Sequence, residues 1–314
     1  MKPVRRAVID VGTNSIKLLV ADVAEHDVQP VWEGSIQTRL GQGFYETHRL
    51  QPEPIAQTAE AVTVLAETAR RHEATTVRVI ATSAARDATN PKDLLKAIKT
   101  ASGLNVEIIS GDQEAEWAFQ GVTTDPKLAR KHLLLLDVGG GSTEFILGRG
   151  GHKHFAQSFP LGTVRLLEKI PHGNPPLADE LAACRRWLKA FLDETVRPQL
   201  ESALRRETKS GQIQLVGTGG TTSILARMEA KMEEFNRERI EGTSLDIKRV
   251  QWHVKHLWSL PLAERQQIVG LPKKRGDVIL PGVAIYEAVM EQFGFSELRI
   301  TTRGLRFAAV MAPE

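Results

Sequence analysis

The chain writes one local pattern twice. Val8-Ile9-Asp10-Val11-Gly12-Thr13-Asn14-Ser15, near the start, is echoed by Leu135-Leu136-Asp137-Val138-Gly139-Gly140-Gly141-Ser142. In each copy an apolar run ends in Asp-Val-Gly, passes through small residues to a serine, and gives way to a second extended apolar run, 16–21 and 145–148. That order reads as strand, tight turn, strand, built twice. A turn of small residues leaves backbone N–H groups exposed, and such a nest binds anions, phosphate above all. Two nests facing each other across a cleft would grip a phosphate chain from both sides.

The stretches around the two copies read as α/β. Strands are predicted at 7–10, 16–22 and 28–34, followed by helical spacing of Ile55, Ala59, Val62, Leu65, Ala66 and Ala69. A β-branched run at 77–82 reads as a parallel strand. Asn90-Pro91 opens a helix that stops near Gly103. A strand at 106–109 passes through Ser110-Gly111 into a helix from Asp112 to about Gly121. The segment 122–131, with Asp125-Pro126, has little periodicity and marks the boundary. Beyond the second hairpin come a long helical region at 177–206 and a strand at 212–216 that opens into Gly217-Thr218-Gly219-Gly220. Further helices run through Trp258 and Tyr286 to a last strand at 298–302. Two domains are expected, 1–126 and 127–314, with the apolar stretch 304–314 as a terminal helix returning to the first.

The totals narrow the function classes. At 314 residues, 41% hydrophobic and 25% charged, the chain has the make-up of a globular protein with two cores. No apolar run reaches the roughly 20 residues that span a bilayer, and the N-terminus lacks a signal peptide's pattern. The lone Cys184 has no internal disulfide partner, so a cytoplasmic setting is expected. A net charge of +3 and few, scattered aromatics argue against nucleic acid as a partner. No Walker-type loop or strict G-x-G-x-x-G occurs. The pairs His152/His154 and His253/His256 lack a third zinc ligand, and no G-x-S-x-G elbow is present. What remains is Asp-Val-Gly-x-x-Ser twice, plus the glycine turn at 217–220 after a strand. Three such turns together point to phosphate.

With these motifs the sequence resembles the exopolyphosphatase/guanosine pentaphosphate phosphatase (Ppx/GppA) family, within the actin, Hsp70 and sugar kinase superfamily. The resemblance runs nearly end to end. Besides the hairpins it rests on Ala81-Thr82-Ser83-Ala84-Ala85-Arg86-Asp87-Ala88-Thr89-Asn90, on Ile109-Ser110-Gly111-Asp112-Gln113-Glu114-Ala115, and on Phe159-Pro160-Leu161-Gly162-Thr163-Val164-Arg165-Leu166. It implies two actin-like (ribonuclease H-like) domains with an interdomain active-site cleft. The implied activity is that of a phosphoric anhydride hydrolase, removing the terminal phosphate of inorganic polyphosphate or of guanosine pentaphosphate.

Glu114 matches the glutamate of the family's Ser-Gly-x-x-Glu-Ala motif and is the expected general base. Independently of the match, it lies in the first turn of a helix directly after a strand, at the domain boundary. Asp10, Asp137 and Glu144 would surround the same phosphate. Each like-charge pair costs about 4 kcal/mol at 4 Å in an effective dielectric near 20, so their convergence calls for a cation. Oxygen ligands beside phosphate favour Mg²⁺, with Mn²⁺ a substitute. Thr13, Asn14 and Ser15 in one turn, and Gly140, Gly141, Ser142 and Thr143 in the other, are the expected phosphate donors. Arg86 matches the family's phosphate-contacting arginine. Arg39 lies in Thr38-Arg39-Leu40-Gly41-Gln42-Gly43, which resembles the family's R-L-G-E-G stretch with Gln42 in place of Glu. Gly217, Thr218, Gly219 and Gly220 match the superfamily's nucleoside-side loop, so ADP or ATP is a candidate ligand and transfer to ADP an alternative to hydrolysis. A non-catalytic phosphate sensor is the reading from another class. The basic run Lys273-Lys274-Arg275 reads as solvated loop charge. The sequence stops at Glu314, short of the C-terminal helical domain of longer members, which leaves long-chain preference without support; a homodimer is compatible with the resemblance.

Overall fold

The computed structural model describes residues 2–25 and 27–313. By its contacts the chain divides into two units. The first holds the residues up to Ala129, the turn Gly139–Gly141 and the residues from Arg303 on; the second holds Arg130–Val138 and Ser142–Thr302.

In the first unit the strands are β1 (Val4–Val11), β2 (Ser15–Ala24), β3 (Asp27–Gln37), β4 (Thr76–Ala81) and β5 (Val106–Ile108). They form one sheet in the order β3-β2-β1-β4-β5. The β1–β2 and β2–β3 pairs are antiparallel, and β1–β4 and β4–β5 are parallel. Successive side chains of a strand point to opposite faces, and the two apolar clusters of the unit obey that period. Ile9, Val11, Ile16, Leu18 and Val20 pack with Val62, Leu65 and Ala66 of the helix Pro52–Arg71. Val8, Leu19, Ala21 and Ile80 pack instead with Trp117 and with Leu305, Phe307 and Ala308. A sheet covered on both faces needs continuous apolar strands, which is why the hairpin runs lack clean alternation. The helix Leu305–Ala309 therefore lies on the first unit's sheet. Arg306 Nη1 donates to the Leu18 carbonyl at 3.0 Å, and Arg78 Nη1 donates to that of Ala309 at 3.3 Å.

The second unit holds β6 (His132–Val138), β7 (Thr143–Arg149), β8 (His152–Phe159), β9 (Ile213–Thr218), β10 (Ser244–Asp246) and β11 (Glu297–Ile300). Its sheet runs β10-β11-β9-β6-β7-β8. Read from the β8 edge this is the order of the first sheet again, with β6–β9 and β9–β11 parallel and β10 added antiparallel at the far edge. Both units are thus α/β, and the chain is built on the two-domain actin-like plan.

The structure adds elements that the periodicity does not announce. β8 and the helix Thr163–Lys169 lie in a stretch without a clear repeat. β8 carries His152, Lys153 and His154 on an exposed end, so its apolar signal is too short to read. The long helical region is interrupted. Helix Ala178–Phe191 passes through a π-turn at Leu192–Val196 into helix Arg197–Ser210, which has a proline in its first turn. Among the described residues no helix is long and apolar enough to cross a membrane.

Candidate active site

The first hairpin closes with Gly12 N–H on the Ser15 carbonyl at 3.2 Å, and its register sets Asp10 opposite Lys17. The segment after β3 folds back onto this turn. Thr38 and Arg39 N–H groups both donate to the Asn14 carbonyl, at 3.3 and 3.0 Å, and Gly41 N–H donates to that of Thr13 at 2.8 Å. A Cβ at Gly41 would lie 2.3 Å from Thr13 Cγ2, so glycine is required for this approach. Arg39 sits in the left-handed region, with φ of 51°. The expected donors Thr13, Asn14 and Ser15 are all buried. Gln37 Nε2 donates to Asn14 Oδ1 at 2.9 Å, while Asn14 Nδ2 and Asp10 Oδ1 are buried without a partner. An unsatisfied buried polar atom costs about 1–3 kcal/mol, so these two mark a place where a ligand would supply what the protein does not. Burial pushes the Asp10 carboxyl above the usual carboxylate range, with Lys17 and Arg306 pulling the other way.

Arg86 and Glu114 meet in the same unit. Arg86 lies on the short helix Ser83–Asp87 that follows β4, and Glu114 on the helix Gly111–Thr123 that follows β5. The two strand exits are adjacent because Ile109 N–H donates to the Ala81 carbonyl at 3.0 Å. Ser110 caps the second helix by accepting from Gln113 N–H at 3.1 Å, which fixes Glu114 in its first turn. Arg86 Nη1 then donates to Glu114 Oε2 at 2.9 Å and to the Ile109 carbonyl at 3.2 Å. Glu114 is only 8% exposed. The two residues expected to bind phosphate and to take a proton are therefore in direct contact.

The second hairpin has the same register as the first but different occupants. Asp137 lies opposite Glu144, and Glu144 lies opposite Ser158 on β8. Glu144 is 1% exposed, and its Oε1 accepts from Ser142 Oγ at 2.9 Å and from Ser158 Oγ at 2.7 Å. One expectation changes here. The Thr143 hydroxyl is fully buried and donates to the Leu161 carbonyl, so its side chain is committed to the fold rather than turned to a ligand. Ser142, expected as a phosphate donor, orients Glu144. Gly140 and Gly141 lie in the turn between β6 and β7. The glycine turn after β9 follows Thr218, the register partner of Asp137. Gly219 has φ of 97°, and a Cβ there would lie 2.7 Å from Asp137 Oδ1. Gly220 opens the helix Gly220–Glu229, and Arg275 comes within 3.7 Å of the position a Cβ would take on it. Arg275 is thus half-buried beside the turn rather than a wholly solvated loop charge.

Among the described residues no three His, Cys, Asp or Glu side chains gather to hold a metal ion. Mg²⁺ does not require such a group, since it binds through one or two carboxylates and completes its shell with waters and phosphate oxygens. Two opposed carboxylates, one of them oriented by two serines, fit that chemistry. Asp10, opposite a lysine, fits it less well. Three histidines are tied to carboxylates away from the hairpin turns: His132 and His154 Nδ1 both meet Glu207, at 2.6 and 2.7 Å, and His253 bonds Glu229. Residues that the sequence reading missed are Lys17 and Ser158, which come to the site by register alone. The repeated spacing carried that signal, because position 17 stands to 10 as 144 stands to 137.

Comparison with known proteins finds relatives along nearly the whole chain. The model of the Ppx/GppA phosphatase family matches residues 19–311. The chain is 33% identical over 312 residues to exopolyphosphatase 2 of Mycobacterium tuberculosis, covering 95% of this chain and 94% of that one. Among solved structures, an exopolyphosphatase from Cytophaga hutchinsonii superimposes with a TM-score of 0.85 at 27% identity, over 97% of this chain and 96% of that one. The Ppx/GppA enzyme of Aquifex aeolicus does so with a TM-score of 0.77 at 27% identity, over 99% and 100%.

Proposed function

Because the chain belongs to the Ppx/GppA phosphatase family and is a phosphatase, we propose that it is an exopolyphosphatase. In this reading it hydrolyses the terminal phosphate of inorganic polyphosphate with Mg²⁺, and Glu114 is the general base. The observation that carries the reading is the 2.9 Å contact between Arg86 and Glu114. A guanidinium that binds phosphate draws the terminal phosphoryl group to the side of a carboxylate that is nearly excluded from water. A water between the two is oriented by Glu114, loses its proton to that carboxylate, and attacks phosphorus as the bond to the bridging oxygen breaks. The leaving oxygen departs on the shortened chain.

Binding in this mechanism is mostly positioning. The first turn offers Thr13, Asn14 and Ser15, and the unpartnered Asn14 Nδ2 gains an acceptor when a phosphate oxygen arrives. Arg39, held on the Asn14 carbonyl, adds charge beside the same turn. Gly140 and Gly141, in the turn that belongs with the first unit, supply backbone N–H groups, while Asp137 and Glu144 of the second unit are the residues that would hold Mg²⁺. When bound, the ion neutralises charge on the phosphoryl oxygens. The serine donors on Glu144 keep its carboxylate in one orientation, so little reorganisation is left for the reaction itself.

Glu114→Gln keeps the shape and the hydrogen bond from Arg86 but removes the proton acceptor. General-base help is worth about 10²–10⁴-fold, so kcat falls by that factor while KM for polyphosphate stays near the wild-type value. A Glu114→Gln enzyme with near-normal kcat would sink the assignment. Phosphate release from long polyphosphate, short polyphosphate and guanosine pentaphosphate, measured side by side with Mg²⁺, identifies the substrate. An ADP arm in which ATP is sought separates transfer from hydrolysis.

A further inference from the structure

Behind the second hairpin lies a tyrosine that none of the phosphate motifs includes. Tyr286 is on the helix Ile279–Phe293 and is fully buried. Its hydroxyl reaches two strand ends at once, with the Leu136 carbonyl of β6 at 3.4 Å and the Thr218 carbonyl of β9 at 3.1 Å. The Thr222 side chain and the Val138 backbone also act on this phenol, pulling its pKa down against the effect of burial. Leu136 and Val138 flank Asp137. Thr218 is Asp137's register partner and leads into Gly219. The ring itself needs Gly217, where a Cβ would lie 2.9 Å from Tyr286 Cε1.

One phenol oxygen therefore fixes the backbone on either side of Asp137 and the start of the glycine turn against which that carboxylate packs. The fold would tolerate a phenylalanine at this place for packing alone, since helix and sheet supply the apolar contacts. What the hydroxyl adds is a fixed separation between β6 and β9 at the point where each ends. The phenol stays neutral: burial raises its pKa well above the usual tyrosine range, and the charge of Asp137 adds to the effect. A neutral phenol keeps the one O–H proton that the two carbonyls share, with the shorter bond to Thr218.

We propose that Tyr286 is a positioning residue for the metal-binding carboxylate Asp137 and the turn at Gly219, acting through the two strand ends its hydroxyl joins. This rests on the reading that Asp137 holds the divalent ion. Outer-shell partners of metal ligands are typically worth about 10–100-fold in metal affinity, and the tie belongs to that class.

The experiment compares Tyr286→Phe, Thr222→Val and Asp137→Asn with the wild-type full chain. Two quantities are read: Mn²⁺ binding by electron paramagnetic resonance of the free ion, and the Mg²⁺ concentration for half-maximal activity. For Tyr286→Phe both constants rise about 10-fold or more, while kcat at saturating Mg²⁺ and KM for polyphosphate stay within a few-fold. Thr222→Val moves them the same way by less, and it carries the test alone if Tyr286→Phe does not fold. If these variants lower the melting temperature but bind Mn²⁺ as the wild type does, Tyr286 is structural only and the proposal is overturned. Asp137→Asn keeps the two failures apart. If Asp137→Asn binds Mn²⁺ normally, the metal assignment itself is wrong. If it loses Mn²⁺ while Tyr286→Phe does not, only the positioning role fails.

Discussion

The two hairpins share a register and differ in what stands across from the aspartate. Asp10 faces Lys17, whereas Asp137 faces Glu144. Cross-strand neighbours are the closest side chains on a sheet face, so this one substitution of partner decides the electrostatics of each turn. The first hairpin opposes its buried carboxylate with a lysine of its own. The second sets two carboxylates together and holds one of them with serine hydroxyls. On the proposed reading the repeated turn serves as two unlike halves, one suited to an anion and one to a cation that carries an anion.

The largest expected effect lies in the second hairpin. On the proposed reading Asp137→Asn removes a direct ligand, so the Mg²⁺ needed for half-maximal activity rises by more than the roughly 10–100-fold that outer-shell changes cost. Asp10→Asn is expected to lower turnover without moving that concentration. Titrating both variants with Mg²⁺ checks the contrast, and equal shifts from the two would break it.

A smaller effect appears in stability, and its sign is unusual for a site residue. Burial raises the folded-state pKa of Asp10 above its unfolded value. The folded protein therefore holds that proton more tightly than the unfolded chain does, and the cost of burying the charge is absent at low pH. It develops as the pH rises through the ordinary carboxylate range towards the folded value. Asp10→Asn is then expected to melt about 2–4 °C higher than the wild type at pH 7, for a gain on the order of 1 kcal/mol. The gap closes as the pH falls below the unfolded carboxylate range. An Asp10→Asn protein that melts below the wild type at pH 7 would mean that the carboxylate is stabilised rather than strained by its burial.

Much of this contrast was legible in the chain, and the limit has a physical cause. The repeated Asp-Val-Gly turn fixes both hairpins because glycine and small residues can make few other structures there. Glu114 could be placed in a helical first turn because Ser110 is a good cap and the strand before it is short and apolar. What could not be read is which hydroxyl faces the ligand. Thr143 and Ser142 are neighbours of similar chemistry, yet one donates to the Leu161 carbonyl and the other to Glu144. That choice depends on where β8 and the segment after it run, and β8 has too little apolar periodicity to announce itself. Tyr286 was hidden for the same reason: its partners are set by the meeting of a helix and two strands far apart in sequence.

The smallest expected effect tests whether the partner residue alone makes the difference. Lys17→Glu gives the first hairpin the second's pair of opposed carboxylates. Like charges directly opposite on a sheet cost roughly 0.2–1 kcal/mol, and the loss of Lys17 also withdraws an attraction that favours the charged form of Asp10. Without divalent ions the variant should melt about 1–4 °C below the wild type at pH 7. If opposed carboxylates suffice for an ion site, Mg²⁺ restores more of the variant's melting temperature than it adds to the wild type. If Mg²⁺ raises both equally, opposition is not enough. The serines that orient Glu144 then become the part of the second hairpin that makes it a metal site, and adding Lys17→Glu to a Ser158→Ala background would not change metal binding any further.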